Sequence, residues 1–122
     1  MSVLVDTSVW VDYLRRGDSR LAGLLEDDQV FCHPFIVGEL ACGSLEPRSE
    51  ILERLGLLPE TPTVRNSEAI HFIEQHRLWG KGIGLIDVHI LASAFLGKSE
   101  LWTRYKRLNR IADDLGIAFR EG

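Results

Sequence analysis

The chain reads as an α/β protein, with a central, mostly parallel sheet of four to five short strands flanked by helices. Three features predict it. Short aliphatic runs alternate with longer segments of helical periodicity, the order in which strand–helix–strand units build a parallel sheet. The first run, Val3-Leu4-Val5, is apolar at every position and not at every second one, which marks a strand covered on both faces. Two helical segments, over 35–41 and 86–96, are apolar almost all the way round and so belong in the interior.

The elements follow in order. The first strand stops at Asp6, and Thr7 or Ser8 is placed to cap a helix carrying Val9, Trp10, Tyr13 and Leu14. Gly17-Asp18-Ser19 turns the chain into a second helix with Leu21, Leu24 and Leu25 on one side. Val30-Phe31-Cys32 is a second strand, and Pro34 suits the first turn of the helix that follows it to Gly43. Arg48 to Leu55 is amphipathic and Gly56 ends it; Leu57 to Pro62 holds a connection with a short edge strand, where proline is tolerated. Asn66 or Ser67 caps a helix burying Ala69, Phe72 and Ile73, with Leu78 beyond it, and a glycine-rich loop, Gly80 to Gly84, leads into the apolar helix from Ile86 to Leu96. Leu101-Trp102-Thr103 is a third strand. Arg104 to Leu115 is a helix burying Leu108, Ile111, Ala112 and Leu115, ended by Gly116, and Ile117-Ala118-Phe119 is the last strand.

With 122 residues, 45% hydrophobic and 26% charged, the chain has the size and composition of one globular domain spanning 1–122. No apolar stretch approaches the roughly 20 residues of a membrane span. No basic region followed by a long apolar run marks a secretory signal, so a cytoplasmic protein is expected. Cys32 and Cys42 lack metal-ligand spacing and read as two reduced, buried thiols. A net charge of −4, from 14 basic and 18 acidic residues, argues against a protein that coats nucleic acid electrostatically. It leaves room for a nuclease whose acidic site is neutralised by metal.

Asp6, Glu39 and Asp87 are acids embedded in apolar sequence: one ends a buried strand, one interrupts an apolar helix and one opens another. Acids are rarely buried unless paired, and these segments offer no Lys or Arg. Taken singly, each acid has a structural explanation as a cap, a helix-dipole partner or one half of an ion pair. If they converge, two unit charges ~4 Å apart repel by about 4 kcal/mol at an effective dielectric of 20, so the group must take up protons or a cation. All-oxygen ligands select a hard ion, Mg²⁺ or Mn²⁺, one of whose waters can be activated against a phosphodiester. Thr7, Ser8 and Thr103 are candidate outer donors that orient the carboxylates.

The stretches Val-Asp-Thr-Ser-Val-Trp at 5–10, Gly-Glu-Leu at 38–40, Ile-Asp-Val-His-Ile-Leu-Ala at 86–92 and Leu-Trp-Thr-Arg at 101–104 resemble PIN-domain ribonucleases. Within that family the likeness is to the VapC toxins of bacterial toxin–antitoxin pairs. The resemblance covers the whole chain, and by it Asp6, Glu39 and Asp87 match the family's catalytic, metal-binding acids. It implies a PIN-like fold and Mg²⁺- or Mn²⁺-dependent endonucleolytic cleavage of structured RNA, often tRNA or ribosomal RNA. It also implies a homodimer and a VapB-type antitoxin that blocks the site; the stretches Phe35–Leu40 and Ile51–Leu57 are candidate partner surfaces.

One position departs from the pattern. The family's fourth acid usually stands two residues after the Thr of the last motif, and here that residue is Tyr105. A phenol neutral near pH 7 does not replace a carboxylate, so a second metal position is expected to be weakened and activity reduced; Asn109, one turn on, offers a neutral oxygen. Either the change is natural in a weak or regulatory member, or it is an inactivating substitution of a toxic nuclease. An alternative from another class follows: a catalytically silent PIN domain that binds antitoxin or RNA. A haloacid-dehalogenase-like phosphatase with Asp6 as nucleophile is a third reading, but that chemistry wants an acid where Ser8 stands. Arg104, Lys106, Arg107 and Arg110, with Lys81 in its loop, are candidate RNA-phosphate contacts. Asp12 is expected exposed, Trp10, Trp79 and Trp102 in the core, and His33, His71, His76 and His89 in core or partner-facing roles.

Overall fold

The computed structural model describes residues 1–121. In chain order its elements are β1 (Val3–Val5), α1 (Thr7–Arg16), α2 (Ser19–Glu26), β2 (Val30–Phe31), α3 (Pro34–Ala41), α4 (Arg48–Gly56), α5 (Asn66–His76), α6 (Leu85–Leu96), β3 (Glu100–Trp102) and α7 (Lys106–Asp114). The sheet has the order β2-β1-β3 and is parallel throughout. Val3 lies opposite Val30 on one side and Glu100 on the other, and Val5 opposite Trp102. β1 is thus paired on both edges and covered on both faces, and all three of its residues are 0% exposed.

Three strands form where four to five were expected. The stretch over 57–62 contributes one bridge, Cys32 to Glu60, because Pro59 and Pro62 flank that residue and neither can donate to a ladder. The last segment likewise gives one bridge, Leu101 to Ala118, since only three residues lie between the left-handed turn at Gly116 (φ +76°) and the exposed Arg120.

Helix starts shift for local reasons. Asp6, and not Thr7 or Ser8, sits at the N-cap of α1, with its carbonyl accepting from the amides of Val9 and Trp10 at 3.0 and 3.2 Å. Its side chain makes no capping bond because it is turned toward other hydroxyls. Arg65, ahead of the expected Asn66 or Ser67, caps α5 by donating its amide to Glu68 Oε1 at 2.8 Å. α7 begins at Lys106, leaving Arg104 and Tyr105 extended, and Leu115 is half-buried.

α6 is the buried helix its sequence promised, with Val88 through Ala94 all enclosed. α3 is not: Phe35, Gly38 and Glu39 face solvent while Ile36 and Leu40 enter the core. Trp10 and Trp102 are core residues, but Trp79, following the left-handed Arg77, is 59% exposed. Cys32 is buried and Cys42, at the C-terminus of α3, is exposed. Burial pushes the Cys32 thiol up to about 11.

His33 closes β2 and caps α3. Its Nδ1 accepts the Phe35 amide at 2.9 Å, so the neutral ring carries its proton on Nε2, which is buried without a partner among the described residues. Burial, with a smaller contribution from nearby His89, pushes its pKa down to about 4 from 6.5. The unfolded chain therefore binds the extra proton first. The stability that neutral His33 confers is complete above pH 6.5 and is lost as the pH falls toward 4, by up to about 3 kcal/mol. Denaturant unfolding between pH 7 and 4 should show this slope in the parent and a flatter one in His33→Asn, which keeps a capping oxygen; equal slopes would assign the acid sensitivity elsewhere.

Candidate active site

In a sheet of order β2-β1-β3 the chain leaves β1 toward one side and returns on the other, which opens a crevice at the carboxyl ends of β1 and β3. Asp6 and Thr103 are the first residues past those ends. The Asp6 amide donates to the Trp102 carbonyl at 2.9 Å, so sheet pairing runs right up to the acid. Asp6 is only 7% exposed. Its Oδ2 accepts from Thr103 Oγ1 at 2.8 Å and from Ser8 Oγ at 3.0 Å. Both hydroxyl oxygens are held in turn by backbone, accepting from the Tyr105 and Arg104 amides at 3.1 and 3.0 Å. Oδ2 is thereby fixed and Oδ1 is left without a protein partner among the described residues.

Glu39 projects from the exposed side of α3, where its Oε1 accepts from Thr7 Oγ1 at 2.6 Å. Asp87 stands half-buried in the first turn of α6, its Oδ2 accepting the Gly84 amide at 3.3 Å. Burial raises the Asp87 pKa above the usual carboxylate value; the Gly84 amide opposes that rise, and the negative charges of Asp6 and Glu39 add to it. Asp87 thus feels the charges of both Asp6 and Glu39. Among the described residues no three His, Cys, Asp or Glu side chains are gathered closely enough to hold a metal ion.

None of the three makes an ion pair with Lys or Arg among the described residues. As donors the three are all oxygen and free of paired cations, which is the chemistry a hard divalent ion takes, but they are not drawn together into a metal-holding group. Thr7, Ser8 and Thr103 each donate to one of these acids.

Arg104 is not free to hold a phosphate. Its guanidinium reaches Asp12 at 2.6 Å, Asp18 at 2.7 Å and Glu121 at 3.0 Å, and lies 5.6 Å from the centre of the Trp102 ring. Asp12, expected in solvent, is half-buried beneath it, and the Arg104 hydrogen bond holds its carboxyl below the usual range. Lys81, Lys106, Arg107 and Arg110 are exposed and unpaired among the described residues. Lys106, Asn109 and Arg110 line a groove of about 540 Å³ that has Thr103 at its head.

Tyr105 is 40% exposed and its hydroxyl donates to the Gly82 carbonyl at 2.9 Å. That bond and the Gly84 amide were invisible to sequence reasoning, although Gly84, three residues before Asp87, has the spacing of a capping pair. The histidines form no ligand set among the described residues: His89 packs edge-on to Phe35, and His76 lies between Phe72 and Phe95.

The chain matches the PIN domain family over residues 3–114. It is 43% identical over 120 residues to Ribonuclease VapC32 of Mycobacterium tuberculosis, covering 98% of this chain and 97% of that protein, with the same match in two strains. Its fold is similar to the crystal structure of FitAcB from Neisseria gonorrhoeae, with a TM-score of 0.61, 22% identity, and 91% and 93% of the two chains covered.

The Asp87 geometry makes a signed prediction. A carboxyl whose pKa is raised on folding stabilises the fold below its unfolded value and loses that contribution as pH rises through the folded value. Asp87→Asn should therefore raise the melting temperature of metal-free protein at pH 7, at about 4 °C per kcal/mol for a domain of this size, and should leave it unchanged near pH 3. A lower melting temperature at pH 7 would show that the Asp87 charge is satisfied in the fold.

Proposed function

Because the chain belongs to the PIN-domain family, with a VapC ribonuclease as a close relative, we propose that it is a metal-dependent endoribonuclease of the VapC toxin type, acting on structured RNA such as tRNA or rRNA. The observation that carries this reading is Asp6 at the crevice where β1 and β3 end, with Glu39 and Asp87, like it, unpaired with any Lys or Arg among the described residues. These three acids are assigned as the catalytic ligands of Mg²⁺ or Mn²⁺. Such an ion supplies, when bound, polarisation of a phosphoryl oxygen and a more acidic water.

The chain's own residues do the positioning. Ser8 and Thr103 hold Asp6 Oδ2 and leave Oδ1 free, Thr7 braces Glu39, and the Gly84 amide braces Asp87. Lys106 and Arg110 along their groove, with Arg107 and Lys81 nearby, are proposed to hold the flanking RNA phosphates; Arg104 is excluded by its three carboxylates. With Tyr105 at the usual fourth-acid position, a second metal position is weakened and turnover is low. The chain acts in the cytoplasm as one domain over 1–122, paired as a homodimer and neutralised by a VapB-type antitoxin. Leu14, Leu40, Leu45 and Ile51 line a groove of about 440 Å³ that suits an amphipathic antitoxin helix.

The alternative is a silent PIN domain that binds antitoxin or RNA without cleaving, motivated by Tyr105. Mn²⁺ calorimetry and RNA cleavage on the parent and Asp6→Asn separate the two. The nuclease reading expects metal binding and cleavage in the parent, and neither in the variant. RNA binding without cleavage at saturating Mn²⁺ would leave the silent reading.

The groove makes a separate prediction. Lys106→Ala and Arg110→Ala should each reduce the salt slope of RNA binding by about 0.7–0.9, whereas Arg104→Lys should not change it. A slope indifferent to the groove variants would place the RNA elsewhere.

A further inference from the structure

Two side chains at the start of α7 close on one glycine. The Tyr105 hydroxyl donates to the Gly82 carbonyl at 2.9 Å. Gly82 has φ +80°, and the Arg107 side chain fills the space beside it: a Cβ added there would come within 2.6 Å of Arg107 Nη1 and 2.8 Å of its Cδ. Two residues further on, the Gly84 amide donates to Asp87 Oδ2. In the other direction the Tyr105 amide donates to Thr103 Oγ1, whose own hydrogen goes to Asp6 Oδ2. Tyr105 therefore joins the two halves of the site, reaching the Asp6 half through its backbone and the Asp87 half through its phenol.

The geometry points to Tyr105 as a positioning residue, a latch that fixes the Gly80–Gly84 loop against the end of β3 and thereby sets where Asp87 stands relative to Asp6. The loop needs one. Three of its five residues are glycines, Gly80 and Gly82 both take positive φ, and such a segment has much conformational freedom to lose. Asp87 sits in the first turn of the helix that this loop leads into, where backbone amides have no intrahelical partner to hold them. A carboxylate at 105 would bring a fourth negative charge but no donor for the Gly82 carbonyl. Tyrosine at this position thus exchanges charge for order. Only the catalytic consequence of the latch rests on the nuclease reading.

Tyr105→Phe keeps the ring and removes the single bond in question; Arg107→Ala removes the other jaw. Amide hydrogen exchange of the metal-free full chain is the deciding measurement. In Tyr105→Phe the amides from Gly82 to Val88 should exchange about five- to tenfold faster, with β1 and the later turns of α6 unchanged. Arg107→Ala should release the same amides. Mn²⁺ affinity should then fall several-fold in Tyr105→Phe, and kcat for RNA cleavage should fall with KM unchanged. Parent-like exchange in the loop overturns the latch, as does a loss of protection spread evenly into β1, which would mean a general packing role. If the parent itself neither binds Mn²⁺ nor cleaves RNA, the nuclease reading fails, while the exchange pattern still decides the latch.

Discussion

A carboxylate shut away at the end of a central strand must have its charge answered, because an isolated buried ion is too costly to keep. At Asp6 the protein answers with hydroxyls and not with cations. Thr103 and Ser8 satisfy one oxygen, and their own orientations are fixed by backbone amides one and two residues into the following segment. Neutral donors steady the carboxylate without cancelling its charge.

The basic residues are distributed to the same end. Arg104 follows Thr103, whose hydroxyl binds Asp6, yet its guanidinium turns to Asp12, Asp18 and Glu121. In doing so it ties β3 to α1, to the turn before α2 and to the end of the chain, stiffening the base of the crevice while keeping positive charge out of it. Lys106, Arg107 and Arg110 stand further along, on the solvent side of α7, without ion-pair partners among the described residues. Separation of the acids from the bases, in a chain that is acidic overall, is what gives the crevice its electrostatic character.

Much of this was legible in the sequence because burial and charge conflict openly there. A run such as Val3-Leu4-Val5 followed by Asp6 states both the central strand and the anomalous acid, and Asp87 stands out in α6 for the same reason. Glu39 was legible for a partly mistaken reason: α3 is rich in apolar residues, yet its acid lies on the exposed face. What was hidden depends on backbone paths that no spacing encodes. Whether a proline-flanked segment pairs once or several times, which cap wins at Asp6 or Arg65, and where the guanidinium of Arg104 goes are all settled by tertiary neighbours. Tyr105 could be read as an absent acid but not as a donor to Gly82, since 23 residues separate the two.

The bond from Thr103 to Asp6 spans 97 positions in sequence. The strand that carries the first acid is made well before β3 and can be paired on its β3 side only after that later segment exists. At the ribosome's pace of about 5–20 residues per second, Asp6 spends roughly 5–20 s as part of a nascent polypeptide with no site around it. The order of translation thus postpones assembly of the crevice until β3 is made, and a chain stopped before Thr103 carries Asp6, Glu39 and Asp87 without the hydroxyl that seats the first of them.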